Sequence, residues 1–212
     1  MKMIRSKLLI LFFLPIFCFA QEEDFQSWST ITFKQKVSKK FDFYLRNTVR
    51  YRENSSIISK AFIDLKIKYK IKKNMSFALG YRDINSWNYM LIRQNTKRFY
   101  TDIVLRKKID RYVFFVRNRL QRQGKLNNYN NVFRQRFKLA YNIKGTKLAP
   151  AVSTEYFYHL THQLDKLRHS ILLSYPLSKK IDFDLGYRFQ HEINIARPKN
   201  LFILDAKLNY SF

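Results

Sequence analysis

From Phe41 onward, apolar side chains recur at every second position. Phe41, Phe43, Leu45, Val49 and Tyr51 alternate with Asp42, Tyr44, Arg46, Thr48 and Arg50, and Ala61, Ile63, Leu65, Ile67 and Tyr69 alternate with Asp64, Lys66 and Lys68. The pattern returns around Phe77, Ile103, Phe114, Phe137, Val152, Ile171 and Leu185 and ends in Phe202, Leu204, Ala206, Leu208, Tyr210 and Phe212. A period of two sends successive side chains to opposite faces of a strand, so each segment predicts a strand with one apolar and one charged face. Eleven segments of about 10 to 13 residues can be counted. That exceeds the roughly 5 to 6 residues usual in soluble sheets and approaches the 9 to 11 or so that cross a bilayer as a tilted strand.

Two nearly identical stretches punctuate this pattern, SKKFDF at Ser38–Phe43 and SKKIDF at Ser178–Phe183. Lysine-rich turn candidates stand between them at Lys72-Lys73-Asn74, Lys107-Lys108-Ile109-Asp110 and Lys144-Gly145-Thr146-Lys147, so turns recur every 34 to 37 residues. One such period holds a strand leaving a turn, a connection and a strand returning, which is the arithmetic of an up-and-down antiparallel sheet. An odd strand count conflicts with the even number of single-chain bacterial barrels. Either a strand is missed or split in this count, or Gln21–Ser27 is irregular at the first edge, so the expectation is 10 to 12 strands. Connections opposite the lysine turns are short, the longest expected over Ile84–Lys97, with Trp87 and Tyr89 in it.

Alternating strands suit two barrels, a soluble lipocalin-like carrier with apolar faces inside or a membrane barrel with apolar faces outside. The apolar set is rich in Phe and Tyr and too bulky for a small closed interior. Turning it outward places Arg46, Arg50, Lys66, Arg82, Arg117, Arg119, Arg134, Arg136, Arg188 and Lys207 in the lumen, with Asp42, Asp64, Asp102, Glu155, Asp182, Asp184 and Asp205 as partial counterweights. On the lipid side each mid-depth Arg or Lys costs roughly 2 to 4 kcal/mol. The fold class read from the sequence is all-β, an up-and-down antiparallel transmembrane β-barrel over residues 21–212.

Charge alone points elsewhere. The 212-residue chain carries a formal +26, which ordinarily suggests nucleic acid or an anionic surface. The N-terminus changes that inference. Lys2, Arg5 and Lys7 precede an apolar run from Leu8 to Phe19 that ends at Cys18-Phe19-Ala20, the form of a secretory signal over residues 1–20 and short for a spanning helix. Its removal takes the single cysteine with it, and Phe17 before Cys18 does not suit lipid attachment. An exported chain with no helix-turn-helix, zinc-finger or RNP-like pattern is not read as a nucleic-acid binder.

Candidate chemistry is sparse. His159, His162, His169 and His191 are expected near the connections opposite the lysine turns, but their spacing matches no metal-ligand motif. His169 and Ser170 are adjacent, so on a strand they face opposite ways and cannot act as base and nucleophile. Gly80 and Gly186 fall on the inward face two residues before Arg82 and Arg188. They mark either a constriction or places where a neighbouring Tyr or Arg lies flat across the strand. No catalytic residue, cofactor or metal is assigned.

The last strand, LDAKLNYSF, carries Leu204, Leu208, Tyr210 and a terminal Phe212 on one face and resembles the assembly signal that ends bacterial outer-membrane barrels. With the signal peptide, Trp28 and the repeated Gly-Tyr-Arg at Gly80–Arg82 and Gly186–Arg188, the chain resembles a family of Bacteroidota outer-membrane proteins catalogued as a domain of unknown function. The resemblance implies a Gram-negative outer membrane, with envelope lipid and the barrel-assembly machinery as partners. A small anion-preferring pore and a structural or adhesive barrel with a plugged lumen both remain open, ahead of a lipocalin-like carrier and a lipid-modifying enzyme.

Overall fold

The computed structural model describes residues 22–125, 128–161 and 163–212. Eleven strands follow in chain order: β1 (Glu22–Lys36), β2 (Phe41–Arg52), β3 (Ile57–Lys72), β4 (Met75–Trp87), β5 (Arg93–Ile109), β6 (Tyr112–Lys125), β7 (Asn128–Tyr141), β8 (Ala149–His159), β9 (Leu164–Pro176), β10 (Ile181–Glu192) and β11 (Lys199–Ser211). They close into a barrel in which each strand pairs with its neighbours in sequence and β1 pairs with β11. The signal segment 1–20 lies outside the described residues.

Closure resolves the odd count. In an up-and-down meander with an odd number of strands the first and last point the same way, so only a parallel ladder removes both edges. β1 and β11 form that ladder from Glu22 opposite Lys199 to Lys34 opposite Ser211, and the Phe212 N–H then donates to the Lys34 carbonyl at 2.9 Å. Neither alternative for the odd count is needed: eleven strands close the barrel, and Glu22–Ser27 are paired in β1 rather than irregular; Gln21 is outside the described residues.

The repeated hexads are equivalent turns. Ser38 Oγ accepts from the Lys40 and Phe41 N–H groups at 3.2 and 3.1 Å, and Ser178 Oγ accepts from those of Lys180 and Ile181 at the same distances. A short hydroxyl that satisfies two turn donors explains why serine opens both copies. Gly145 sits at φ 77° in the longer turn after β7, a left-handed position that glycine adopts without strain. Two boundaries differ from the sequence reading. Lys107 and Lys108 belong to β5, with the turn at Asp110-Arg111, and most of Ile84–Lys97 is strand, leaving only 88–92 as the connection. Polar side chains hold that extension together: Asn95 Nδ2 donates to Asp83 Oδ1 at 2.6 Å and to Asn85 Oδ1 at 3.1 Å across β4 and β5.

The faces divide as the alternation requires. Ile63, Leu79 and Ile171 are half or more exposed on the outer wall, whereas Asp42, Asp64 and Asp205 are about 1% exposed on the inner one. Ring pairs such as Phe41–Tyr69, Tyr81–Phe99 and Tyr112–Tyr141, with centroids about 5 Å apart, brace neighbouring strands on the outside.

Candidate functional site in the barrel lumen

A belt of alternating aromatic and arginine side chains crosses the middle of the lumen. The Arg50 guanidinium lies 3.6 Å from the Trp28 ring centroid and 5.0 Å from that of Phe62, and Arg82 lies 4.1 Å from the Phe62 centroid. Arg119 lies 3.7 Å from Tyr100, Arg134 and Arg168 approach Phe157 at 4.3 and 4.8 Å, and Arg168 and Arg188 return to Trp28 at 5.1 and 5.5 Å. The belt thus draws one or more side chains from each of β1 to β10. Its rings keep the guanidinium planes packed where water is scarce, since a cation over an aromatic face is electrostatically favoured.

Carboxylates pin selected members of the belt. Asp64 accepts from Arg82 Nε at 2.6 Å and from the Tyr100 hydroxyl at 2.7 Å, and Asp102 takes both Nε and a terminal nitrogen of Arg119 at 2.6 and 2.7 Å. Glu155 gathers Arg117, Arg134 and Arg168, while Asp205 holds Arg188 and Lys207. Asp42, below the belt, pairs with Lys68 and Lys70 at 2.7 Å each. Each acid is buried but paired, the condition under which charge is tolerated away from water.

A cavity of about 890 Å³ runs through this interior, bordered by Asp24, Tyr89 and Lys199 toward one rim and by Lys138, Asp184 and Asn209 toward the other. The bases predicted to face inward, Arg46, Arg50, Lys66, Arg82, Arg117, Arg119, Arg134, Arg136, Arg188 and Lys207, all border it, as do Asp102, Glu155, Asp184 and Asp205. Asp42 and Asp64 sit behind it, sealed by their partners, and Asp182 is exposed at the turn end of β10. Bases on the wall outnumber acids. Arg46, Arg50, Lys60, Lys66, Arg98 and Arg136 border the cavity with no carboxylate in ion-pair range among the described residues; Arg46 donates to Thr32 Oγ1 at 3.4 Å and Arg98 to Gln123.

Gly80 serves the tyrosine rather than a pore. A Cβ there would stand 2.1 Å from Tyr100 Cζ, so the missing side chain lets Tyr100 lie across β4 and reach Asp64. At Gly186 the occupant is Leu172, whose Cδ1 would be 3.0 Å from an added Cβ. The alternation did not single out Trp28, Phe62, Tyr100 and Phe157 as lumen residues, nor Arg98 and Arg168. Their signal was nevertheless present: each lies on the charged parity of its strand.

The histidines separate. His159 and His191 lie at strand ends, His162 is outside the described residues, and His169 lies mid-strand in β9 on the outer wall, where Nδ1 is 3.1 Å from Thr154 Oγ1. His169 therefore does not belong to the rim. Among the described residues no group of three His, Cys, Asp or Glu is placed to hold a metal. Leu204, Leu208, Tyr210 and Phe212 share the outward face of the last strand, where Phe212 packs on Tyr210 at 4.7 Å and on Phe33 at 6.5 Å.

Residues 25–200 match a family model described as Protein of unknown function (DUF2490). The chain belongs to that family. No curated protein matches it. Among solved structures, the beta domain of the Bordetella autotransporter Brka is similar at 11% identity and a TM-score of 0.45, over 79% of this chain and 82% of that one.

Proposed function

We propose that the protein is a barrel of a Gram-negative outer membrane, of the Bacteroidota type its sequence resembles, whose lumen is a narrow path that prefers small anions. The observation that carries this reading is the charge of the cavity wall, where Arg46, Lys66 and Arg136 have no carboxylate in ion-pair range among the described residues. Uncompensated bases along a confined path raise the local concentration of anions and repel cations. The outward apolar band suits lipid, and the outward Leu204, Leu208, Tyr210 and Phe212 suit recognition by the barrel-assembly machinery. No catalytic residue is assigned. A second reading, a structural barrel with a closed lumen, draws support from the belt, where Trp28, Phe62, Tyr100 and Phe157 are each 4 to 6% exposed. An eleven-strand barrel also lies between filled eight-strand barrels and open porins.

Two measurements test the proposal in sequence. The mature chain is expected to fractionate with outer membranes and to migrate faster on a gel unheated than boiled; recovery as a soluble periplasmic monomer would return the carrier barrel. Reconstitution into a planar bilayer is then expected to give unitary currents, and a silent bilayer would move the protein to the structural class.

A further inference from the structure

The pairing of β2 with β3 and of β4 with β5 sets like charges against each other inside the lumen. Arg50 stands directly opposite Lys60, and Arg82 directly opposite Arg98. Facing like charges destabilise a sheet, and among the described residues only Arg82 of these four bases has a carboxylate in ion-pair range, Asp64. Arg98 is bonded to Gln123, a neutral acceptor, and the Arg50 Nε is buried with no hydrogen-bond partner among the described residues. Toward the same rim Asp24 accepts from the Glu53 N–H at 2.8 Å and Glu192 holds Lys166 at 3.3 Å, while Asp165, which also borders the cavity and whose Oδ1 is buried without a hydrogen-bond partner among the described residues, is in ion-pair range of none of these bases. Arg50 belongs to the belt, Lys60 and Arg98 follow it on the side away from the lysine turns, and all three border the cavity, with the Trp28 ring against Arg50.

We propose that Arg50, Lys60 and Arg98 form a binding site for a small soluble oxyanion bearing phosphate or carboxylate groups. Guanidinium forks match the paired oxygens of such groups bidentately, which a halide cannot reciprocate. An oxyanion would supply the acceptor that Arg50 Nε lacks and the negative charge that the facing bases lack. This deepens the anion-path reading and rests on the same inward charge, yet binding is measurable without any current.

The full chain in detergent, with Trp87→Phe, leaves Trp28 as the one tryptophan reporter of the two in the sequence. Inorganic phosphate and citrate are titrated at fixed ionic strength against chloride. The expected result is a saturable change in Trp28 emission with phosphate or citrate and none with chloride. Affinity should weaken about tenfold or more in Arg50→Gln and in Lys60→Gln/Arg98→Gln, the effect of losing a charged hydrogen-bond partner. It should be unchanged in Lys97→Gln, an exposed outer-wall lysine. Unheated gel mobility checks that each variant folds, and the double variant carries the test if Arg50→Gln does not. No saturable response, or one unaltered in the variants, overturns the site. Binding without current leaves the site standing and ends the pore reading, whereas an anion current without binding ends the site and leaves the pore.

Discussion

The Arg50 guanidinium lies 3.6 Å from the Trp28 ring centroid at the one parallel seam of the barrel, where Trp28 stands opposite Asp205 of β11. Trp28 is 6% exposed, and Arg168 and Arg188 share its ring, so the indole anchors both seam and belt. Trp28→Ala is expected to lower stability by about 3 kcal/mol, the scale of a buried aromatic removed from a packed interior. Trp28→Phe should lose less, and Ile31→Ala on the outer wall of β1 less again. Urea unfolding midpoints in liposomes check the order; equal losses for Trp28→Ala and Ile31→Ala would contradict the anchoring role.

The inward placement of Arg46, Lys66 and Arg188 was legible because a period of two fixes a side chain's face once the lipid side is chosen. The seam was not legible, because pairing between β1 and β11 joins residues such as Trp28 and Asp205 that share no local pattern. The belt escaped for a different reason. Phe62 and Tyr100 are aromatic, and an alternation scored as apolar against charged treats them as errors rather than as stacking partners for arginine. Asn85 and Asn95 misled in the opposite direction: outward polar residues within Ile84–Lys97 read as loop, although their hydrogen bonds to each other and to Asp83 extend β4 and β5.

Asp64 is sealed between Arg82 and the Tyr100 hydroxyl. Asp64→Asn strands Arg82 and is expected to cost about 3 to 5 kcal/mol, the penalty of breaking a buried pair from one side. Adding Arg82→Gln should recover part of that loss, because the stranded charge goes with it. A double-mutant cycle on unfolding free energy checks this, and strictly additive losses would mean that the two side chains act independently.

Phe212 closes the last strand with contacts to Tyr210 and Phe33 and a backbone bond to Lys34. If the terminal aromatic serves assembly, Phe212→Ala should reduce the folded yield in membranes far more than Phe41→Ala, which removes the pairing with Tyr69 at a turn-side position. The ratio of heat-modifiable to unfolded protein in membrane fractions reads the difference, and equal yields would count against an assembly role.

The reversal potential of the reconstituted protein in a salt gradient tests the anion path most directly. Arg46, Lys66 and Arg136 border the cavity with no carboxylate in ion-pair range among the described residues, so Arg46→Gln/Lys66→Gln/Arg136→Gln removes positive charge and breaks none of the described ion pairs. The wild type is expected to reverse on the anion-selective side, and the triple variant to shift toward zero. A cation-selective wild type, or an anion preference unchanged in the triple variant, would contradict the assignment of these bases to the conducting path.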